Sequence, residues 1–250
     1  MDFMKLYQAQ CRERFGHLGF KKLGNTHWRV VNDVLQTFYL HRARAGGSCM
    51  LQFGITPLCY GSINRDSFKY GTSSMLQPHA FSDCTVWQWF YDPKSEESIR
   101  SCIESLMEFM LSYLVPYFER GIDCASARKE NLMLWQNLLE RKRTFLRDNP
   151  WARQYSFGEE PTEEKALGSM VECYMALKIG VYADAAKYLS NLIAARRKAN
   201  EAEPSEKNEK FIAEWSQLLE RALAQDNDFF ADYLAANERK SRIALGLEKE

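Results

Sequence analysis

Apolar and polar residues alternate along one short part of the chain, residues 26–55, and this period of two is typical of β-strands. The pattern predicts three successive strands at residues 26–32, 34–42 and 49–55. The pair Asn32-Asp33 and the run Gly46-Gly47-Ser48 separate them, and both are turn sequences. Because these connections are too short for a parallel crossover, we expect antiparallel pairing. A fourth strand is predicted at residues 86–91.

Most of the remaining chain has the apolar spacing of amphipathic helices. We expect helices at residues 2–17, 92–115, 123–149, 162–179 and 182–200, and two more that begin near residues 205 and 226. The expected N-caps are Asp92, Asp123, Thr162 and Ser205, and the last helix is expected to fray after Glu238.

These elements predict an α+β fold, in which a small, mainly antiparallel four-stranded sheet is packed by an N-terminal helix and about six further helices. Residues 1–120 form the predicted sheet domain. Residues 121–250 form a helical region packed on it, and the alternative is that both parts belong to one continuous domain.

The alternation also assigns side chains to the two faces of the sheet. One face is expected to be the core; it carries Phe38, Leu40, Leu51, Phe53 and Ile55. The opposite face is predicted to carry Arg29, Thr37, Tyr39, His41, Trp87 and Trp89. Aromatic rings mixed with an arginine and a histidine are typical of recognition surfaces. The alternative is that the C-terminal helices cover this face and make it a second core layer, since those helices need apolar surface to bury against.

Composition excludes several classes of function. Lys plus Arg and Asp plus Glu both number 33, and this balanced charge argues against a general nucleic-acid binder, which needs a basic surface. No run of about 20 apolar residues is present, so we expect no membrane segment. The seven cysteines are odd in number and include no C-x-x-C pair, which indicates reduced, buried thiols and a cytoplasmic location.

The titratable residues form no pattern of known chemistry. None of the four histidines has a His or Cys neighbour at metal-ligand spacing, so no metal, cofactor or catalytic residue is predicted. His41 is either a general base or a surface histidine, and we favour the second interpretation. Cys124, in the first turn of its helix, is either a reactive thiol or a small packing residue, and we favour packing.

The long polar stretch at residues 58–82 is predicted to form a loop. Its segment 62–66, which includes Arg65, could hold a ligand. The alternative, which we favour, is a connection that runs along one edge of the sheet.

Five short segments of the chain carry a resemblance to a known family. They are Gly19-Phe20-Lys21-Lys22, Trp28-Arg29, the strand at 34–40, Phe53-Gly54-Ile55, and Val115-Pro116-Tyr117-Phe118-Glu119. Together with the starting helix, this pattern over residues 1–120 resembles an uncharacterised bacterial family, domain of unknown function 4304. The resemblance implies an α+β fold and a bacterial cytosolic setting, and it implies no established activity.

Two functions of different classes are compatible with these observations. The first is a non-catalytic, protein-binding module of the bacterial cytosol, of an immunity or regulatory type, in an oligomeric state that the sequence does not define. The second is a small-molecule enzyme with a cleft between the sheet and the C-terminal helices, using His41, Arg29 or the segment 62–66. The lack of a catalytic constellation favours the first.

Overall fold

The computed structural model describes residues 2–61, 63, 76–149 and 170–249 of the chain. Its sheet is an antiparallel meander of five strands in chain order. The strands are β1 (Lys21–Leu23), β2 (Thr26–Val31), β3 (Val34–Arg42), β4 (Ser48–Pro57) and β5 (Trp89–Phe90). The α+β class is therefore confirmed, whereas the predicted strand number is one too low.

Seven helices are present in the described residues, as predicted. They are α1 (Phe3–Phe15), α2 (Glu96–Phe109, continued by Met110–Leu114 and Val115–Arg120), α3 (Cys124–Asp148), α4 (Met170–Lys178), α5 (Tyr182–Ala202), α6 (Glu206–Leu223) and α7 (Asn227–Ala244). Short 3-10 turns occupy Gly16–Leu18, Leu58–Tyr60 and Pro78–Ala80. The expected caps Asp123 and Ser205 are confirmed, because each side chain accepts a hydrogen bond from a backbone N–H three residues later. Thr162 lies outside the described residues.

The sheet differs from the prediction at both edges. Strand β1 was missed because it has three residues, and Lys21 and Lys22 among them are exposed. Lysines are common on edge strands, where their charge discourages pairing with another chain. At the other edge, only Trp89 and Phe90 of the predicted strand 86–91 pair with β4, opposite Cys49 and Ser48.

Helix α2 begins later and ends later than predicted. Its N-cap is Ser95, whose Oγ accepts the Ser98 N–H at 3.2 Å, while Asp92 accepts the Lys94 N–H in the preceding turn. The helix also continues through Pro116 to Arg120. A π-turn at Met110–Leu114 widens the helix just before the proline. Pro116 has no backbone N–H to donate to the preceding turn. The π-turn shifts the hydrogen-bond pattern at this point, and the helix continues through the proline.

The chain divides into two compact units. The first comprises Met1–Thr56 and Ile63–Leu134, and the second comprises Pro57–Ser62 and Trp135–Glu250. The division falls within α3, whereas the predicted boundary at residue 120 coincides with the end of α2.

The core of the first unit lies on the predicted face of the sheet. Its five predicted residues on β3 and β4, Phe38, Leu40, Leu51, Phe53 and Ile55, are all almost completely buried. Helix α1 packs Phe15 edge-on against Phe38, with ring centroids 6.0 Å apart. Helix α2 places Tyr117 edge-on against Phe53 at 5.4 Å. The two helices therefore share one apolar sheet face, which stabilises the unit through burial of ring surface.

The predicted sheet face of Arg29 is wrong, because this residue lies on the core face. In the β2–β3 hairpin, Arg29 pairs with Gln36 and His27 pairs with Phe38. Paired residues point to the same face of a sheet, and Phe38 faces the core. The register follows from the two-residue turn Asn32-Asp33, in which Asn32 has a positive φ of 50°.

The second unit is helical, and it includes the short segment Pro57–Ser62 at the end of β4. The Leu58–Tyr60 turn packs there, since Ser241 Oγ donates to the Leu58 C=O at 2.6 Å and Tyr60 contacts Tyr174 edge-on. The predicted fraying after Glu238 is wrong. Helix α7 continues to Ala244 because Ser241 is buried and Glu238 pairs with Lys178 and Arg242.

Gly121, between α2 and α3, provides a test of core packing in the first unit. A Cβ at this position would overlap the buried Ile55 Cδ1 and approach the Ala127 Cα to 3.4 Å. We expect Gly121→Ala to lower the free energy of unfolding by about 1–3 kcal/mol, as overpacked core sites do. Urea denaturation measures this change.

Gly16→Ala is the matched control for that substitution. Gly16 has helical backbone angles, and an added Cβ would meet nothing within 4 Å. We expect it to be neutral, or to stabilise the fold by up to about 1 kcal/mol, because alanine restricts the unfolded chain. Equal losses for the two variants would contradict the proposed packing at Gly121.

Candidate functional site

The second face of the sheet is buried in its middle and open at one end. Along β3, Leu35 and Thr37 are fully buried, and the Thr37 hydroxyl donates to the Gly54 C=O at 3.3 Å. Tyr39 is half-buried and His41 is exposed. The accessible part of this face therefore lies near the end of β3.

Four side chains form this accessible part, which we call the aromatic patch: Tyr39, His41, Met50 and Phe90. The rings of Tyr39 and His41 lie 6.4 Å apart. Met50 is half-buried. It is next to the core residue Leu51 in β4, so its side chain points to the opposite face, which it shares with Tyr39 and His41. Phe90 alternates with the buried Trp89 and is 68% exposed. A ring this accessible on a β-strand is unusual for a packing residue.

Trp87 is a second exposed ring close to Phe90 along the chain. It is 55% exposed and lies three residues before Phe90, which limits their Cα separation to about 10 Å. Phe90 was missed as a candidate because the sequence pattern placed Trp87 and Trp89, and not Phe90, on the recognition face. The structure exposes Trp87 and Phe90 and buries Trp89 instead.

Trp89 is a core residue of the first unit. Its ring packs edge-on against Phe109 of α2 at 5.6 Å, and its indole Nε1 donates to Ser105 Oγ at 3.3 Å. The short strand β5 turns this side chain inward, opposite Cys49. Trp89 is therefore not part of the aromatic patch.

Arg29 has structural partners. Its Nε donates to the Gln36 Oε1 at 2.7 Å, its Nη1 donates to the Leu18 C=O at 2.7 Å, and its guanidinium lies 4.6 Å from the centre of the Phe20 ring. Burial lowers the pKa of Arg29. These contacts hold the 3-10 turn after α1 against β2, so Arg29 is apart from Tyr39 and His41, which point to the opposite face.

The remaining predicted candidates are the segment 62–66, which includes Arg65, and Cys124. Arg65 and the rest of the polar segment 62–66 lie outside the described residues, apart from Ile63. Cys124 is buried, and its backbone N–H donates to Asp33 Oδ1 at 3.1 Å, which agrees with a packing role. The described part of the chain contains no group of three or more His, Cys, Asp or Glu residues placed to hold a metal ion.

A pocket that the sequence did not indicate lies between α1 and the β1–β2 hairpin, with a volume of about 310 Å³. Its lining includes Cys11 and Arg12 of α1, and Lys22 and His27 of the hairpin. His27 is 7% exposed and stacks on Phe38, with ring centroids 4.6 Å apart and planes 9° apart. The pocket was missed because its hairpin includes β1, and the sequence pattern did not predict that strand.

Burial determines the protonation of the groups that line this pocket. Desolvation lowers the pKa of His27 to about 4, so its imidazole is neutral at pH 7. Desolvation raises the pKa of Cys11 to about 12, so its thiol stays protonated. A protonated, buried thiol is a poor nucleophile, and the pair is therefore not a Cys–His catalytic arrangement.

The chain matches no protein-family model, no curated protein and no solved structure. The resemblance of residues 1–120 to the bacterial domain of unknown function stays a prediction. No helix in the described residues has both the length and the apolar character needed to cross a membrane.

Two alanine substitutions distinguish structural residues from surface residues on the sheet. Arg29→Ala removes two hydrogen bonds, and we expect it to lower the free energy of unfolding by about 1–3 kcal/mol. His41→Ala, on the exposed end of β3, is expected to change it by less than about 0.5 kcal/mol. Urea denaturation of both variants measures the difference, and the reverse order would contradict these assignments.

The buried His27 predicts a pH dependence of stability. Its pKa in the folded protein, about 4, is below the ordinary value of 6.5, so the unfolded chain takes up the proton first as the pH falls. Its contribution is complete above pH 6.5 and is lost as the pH falls to 4, with a slope of at most about 1.4 kcal/mol per pH unit. The positive charge of the nearby Lys22 also lowers the pKa of His27.

Urea titrations at several pH values between these limits measure the slope. His27→Gln is the comparison variant, since glutamine does not titrate. Its stability is expected to fall less steeply with pH than that of the native chain. Parallel curves for the two proteins would show that His27 is not the titrating group.

Proposed function

We propose that this protein is a non-catalytic protein-binding module, of an immunity or regulatory type, that engages its partner through the aromatic patch and Trp87. The observation that carries the proposal is the exposure of Phe90 and Trp87, 68% and 55%, at an edge of the sheet. Aromatic rings at the centre of a contact are the residues that contribute most to protein–protein affinity.

The chemistry around the patch indicates the character of the partner surface. Arg42 and Arg44, in the same hairpin as His41, are exposed, and neither forms an ion pair within the described residues. A partner with an apolar centre and acidic residues at its rim would complement this arrangement. Rim charges of this kind act mainly on the association rate and its dependence on salt.

The cysteines support placing this function in a reducing compartment. All seven are free and buried. Disulfides are rare in the cytosol because thiols there are kept reduced. A bacterial cytosolic protein is the setting that we propose.

The predicted alternative, a small-molecule enzyme, has less support at the residues first suggested for it. Arg29 is engaged in hydrogen bonds to Gln36 and Leu18. His41 is exposed at the end of a strand, and no hydrogen-bond partner within the described residues orients its imidazole. General bases are usually held by such a partner.

The proposal predicts that a double substitution abolishes partner binding without unfolding the chain. Trp87→Ser with Phe90→Ser removes both exposed rings, and we expect at least about a hundredfold loss of affinity, because each ring at a contact centre contributes about 2 kcal/mol or more. Affinity capture from bacterial lysate identifies the partner, and titration of the purified partner measures the loss.

Leu223→Ser is the matched control. Leu223 is 69% exposed, like Phe90, but it belongs to the second unit. It is expected to retain full binding, and both variants are expected to keep the melting temperature of the native chain. The proposal fails if the double variant captures the same proteins as the native chain, or if the control loses them equally.

A further inference from the structure

The pocket beside α1 has the chemistry of a ligand site that is separate from the aromatic patch. It lies on the core side of the sheet, where α1 meets the β1–β2 hairpin. Its lining residues are Gln8, Cys11, Arg12, Phe15, Gly16, Phe20, Lys22 and His27. Its volume, about 310 Å³, is at the small end of the range for ligand pockets, about 300–1,000 Å³.

The charges that line the pocket have one sign. Arg12 and Lys22 are cationic, and no carboxylate is among the lining residues. Neither cation forms an ion pair within the described residues. Arg14, two residues from Arg12, differs because it pairs with Glu104 at 2.9 Å. The pocket therefore favours an anionic group.

Strand pairing fixes the position of Lys22 next to the floor of the pocket. Lys22 lies directly opposite His27 in the β1–β2 pair, so their side chains share one face of the sheet. Its ammonium charge also acts on the thiol of Cys11, which lies on α1. Lys22 is thus next to both walls of the pocket.

The floor of the pocket is largely apolar. Phe15 is buried and Phe20 is half-buried, and the neutral imidazole of His27 lies flat on Phe38. The His27 Nδ1 is buried and has no hydrogen-bond partner in the described residues. Buried polar atoms without a partner are uncommon in native proteins, and a ligand or an ordered water often satisfies them.

We propose that this pocket binds a small carboxylate with an apolar body. The carboxylate lies between Arg12 and Lys22, and the apolar body lies against Phe15, Phe20 and the imidazole face of His27. Both cations donate hydrogen bonds to carboxylate oxygens, and the aromatic floor contributes the buried surface that an inorganic anion lacks.

Titration with benzoate tests the proposal directly. The probe is added to the full chain up to about 10 mM, and NMR follows the backbone amides of Gly16 and Lys22 and the imidazole of His27. We expect saturable shifts with a dissociation constant of about 1 mM or tighter, which is ordinary for so small a ligand.

Two further probes separate charge from apolar contact. Benzylamine has a similar ring with the opposite charge, and it is expected to cause no saturable shift. Inorganic phosphate carries negative charge without an apolar body, and it is expected to bind about tenfold more weakly than benzoate. Equal binding of benzylamine overturns the anionic part of the proposal, and equal binding of phosphate overturns the apolar part.

Neighbouring lysines supply a matched pair of variants. Lys22→Gln is expected to weaken benzoate binding about tenfold, because it removes a charged hydrogen bond. Lys21→Gln makes the same charge change one residue earlier, on the opposite face of β1, where Lys21 lies 5.3 Å from the centre of the Trp28 ring. It is expected to leave binding unchanged.

Arg12→Gln gives an independent test, since Arg12 is exposed on α1 and its replacement leaves the β1–β2 hairpin intact. It is also expected to weaken benzoate binding about tenfold. Absence of saturable shifts in the native chain, or equal losses for Lys21→Gln and Lys22→Gln, would overturn the proposed site.

Discussion

The side chain of Gln36 fixes the first unit, because its buried amide joins the sheet to the end of α2. Its Nε2 donates to the Phe118 C=O at 2.6 Å and to the Gly121 C=O at 2.9 Å, and its Oε1 accepts from Arg29. Buried carbonyls at a helix end are costly unless they are paired. One polar residue in the middle of an apolar strand thus satisfies carbonyls at the end of α2, and Arg29 belongs to the same hydrogen-bond network.

Much of the fold follows from local sequence rules, and the exceptions share a physical cause. The alternation in β3 and β4 predicts the core face because every second residue is large and apolar. In β2 the alternation is weaker, so the face of Arg29 depends on register, which the Asn32-Asp33 turn sets. The start of α2 was misplaced because Asp92 and Ser95 are both good caps; in the structure Ser95 caps the helix, and Asp92 caps the turn before it.

The candidate sites were predictable to different degrees. The pattern does not decide whether the second sheet face is covered, but the common face of Tyr39 and His41 follows from the alternation in β3 alone. Phe90 does not, because β5 has two paired residues and gives no period from which to assign a face. The pocket at α1 depends on Lys22 meeting His27 across β1 and β2. Such a contact between a lysine-rich edge and a buried histidine has no signal in a single sequence.

The state of His27 explains how the pocket combines a cationic rim with an apolar floor. A charged imidazole at this depth would add a third cation next to Lys22, and it would require hydration that the stacked Phe38 ring excludes. Desolvation keeps the ring neutral at pH 7, so it contributes flat apolar surface, while Arg12 and Lys22, both exposed, carry the positive charge. The positive charge is therefore carried by two exposed residues, and the buried surface is provided by a neutral ring. The rim can attract an anion from solvent without the cost of a buried cation, and the floor can remain part of the hydrophobic core.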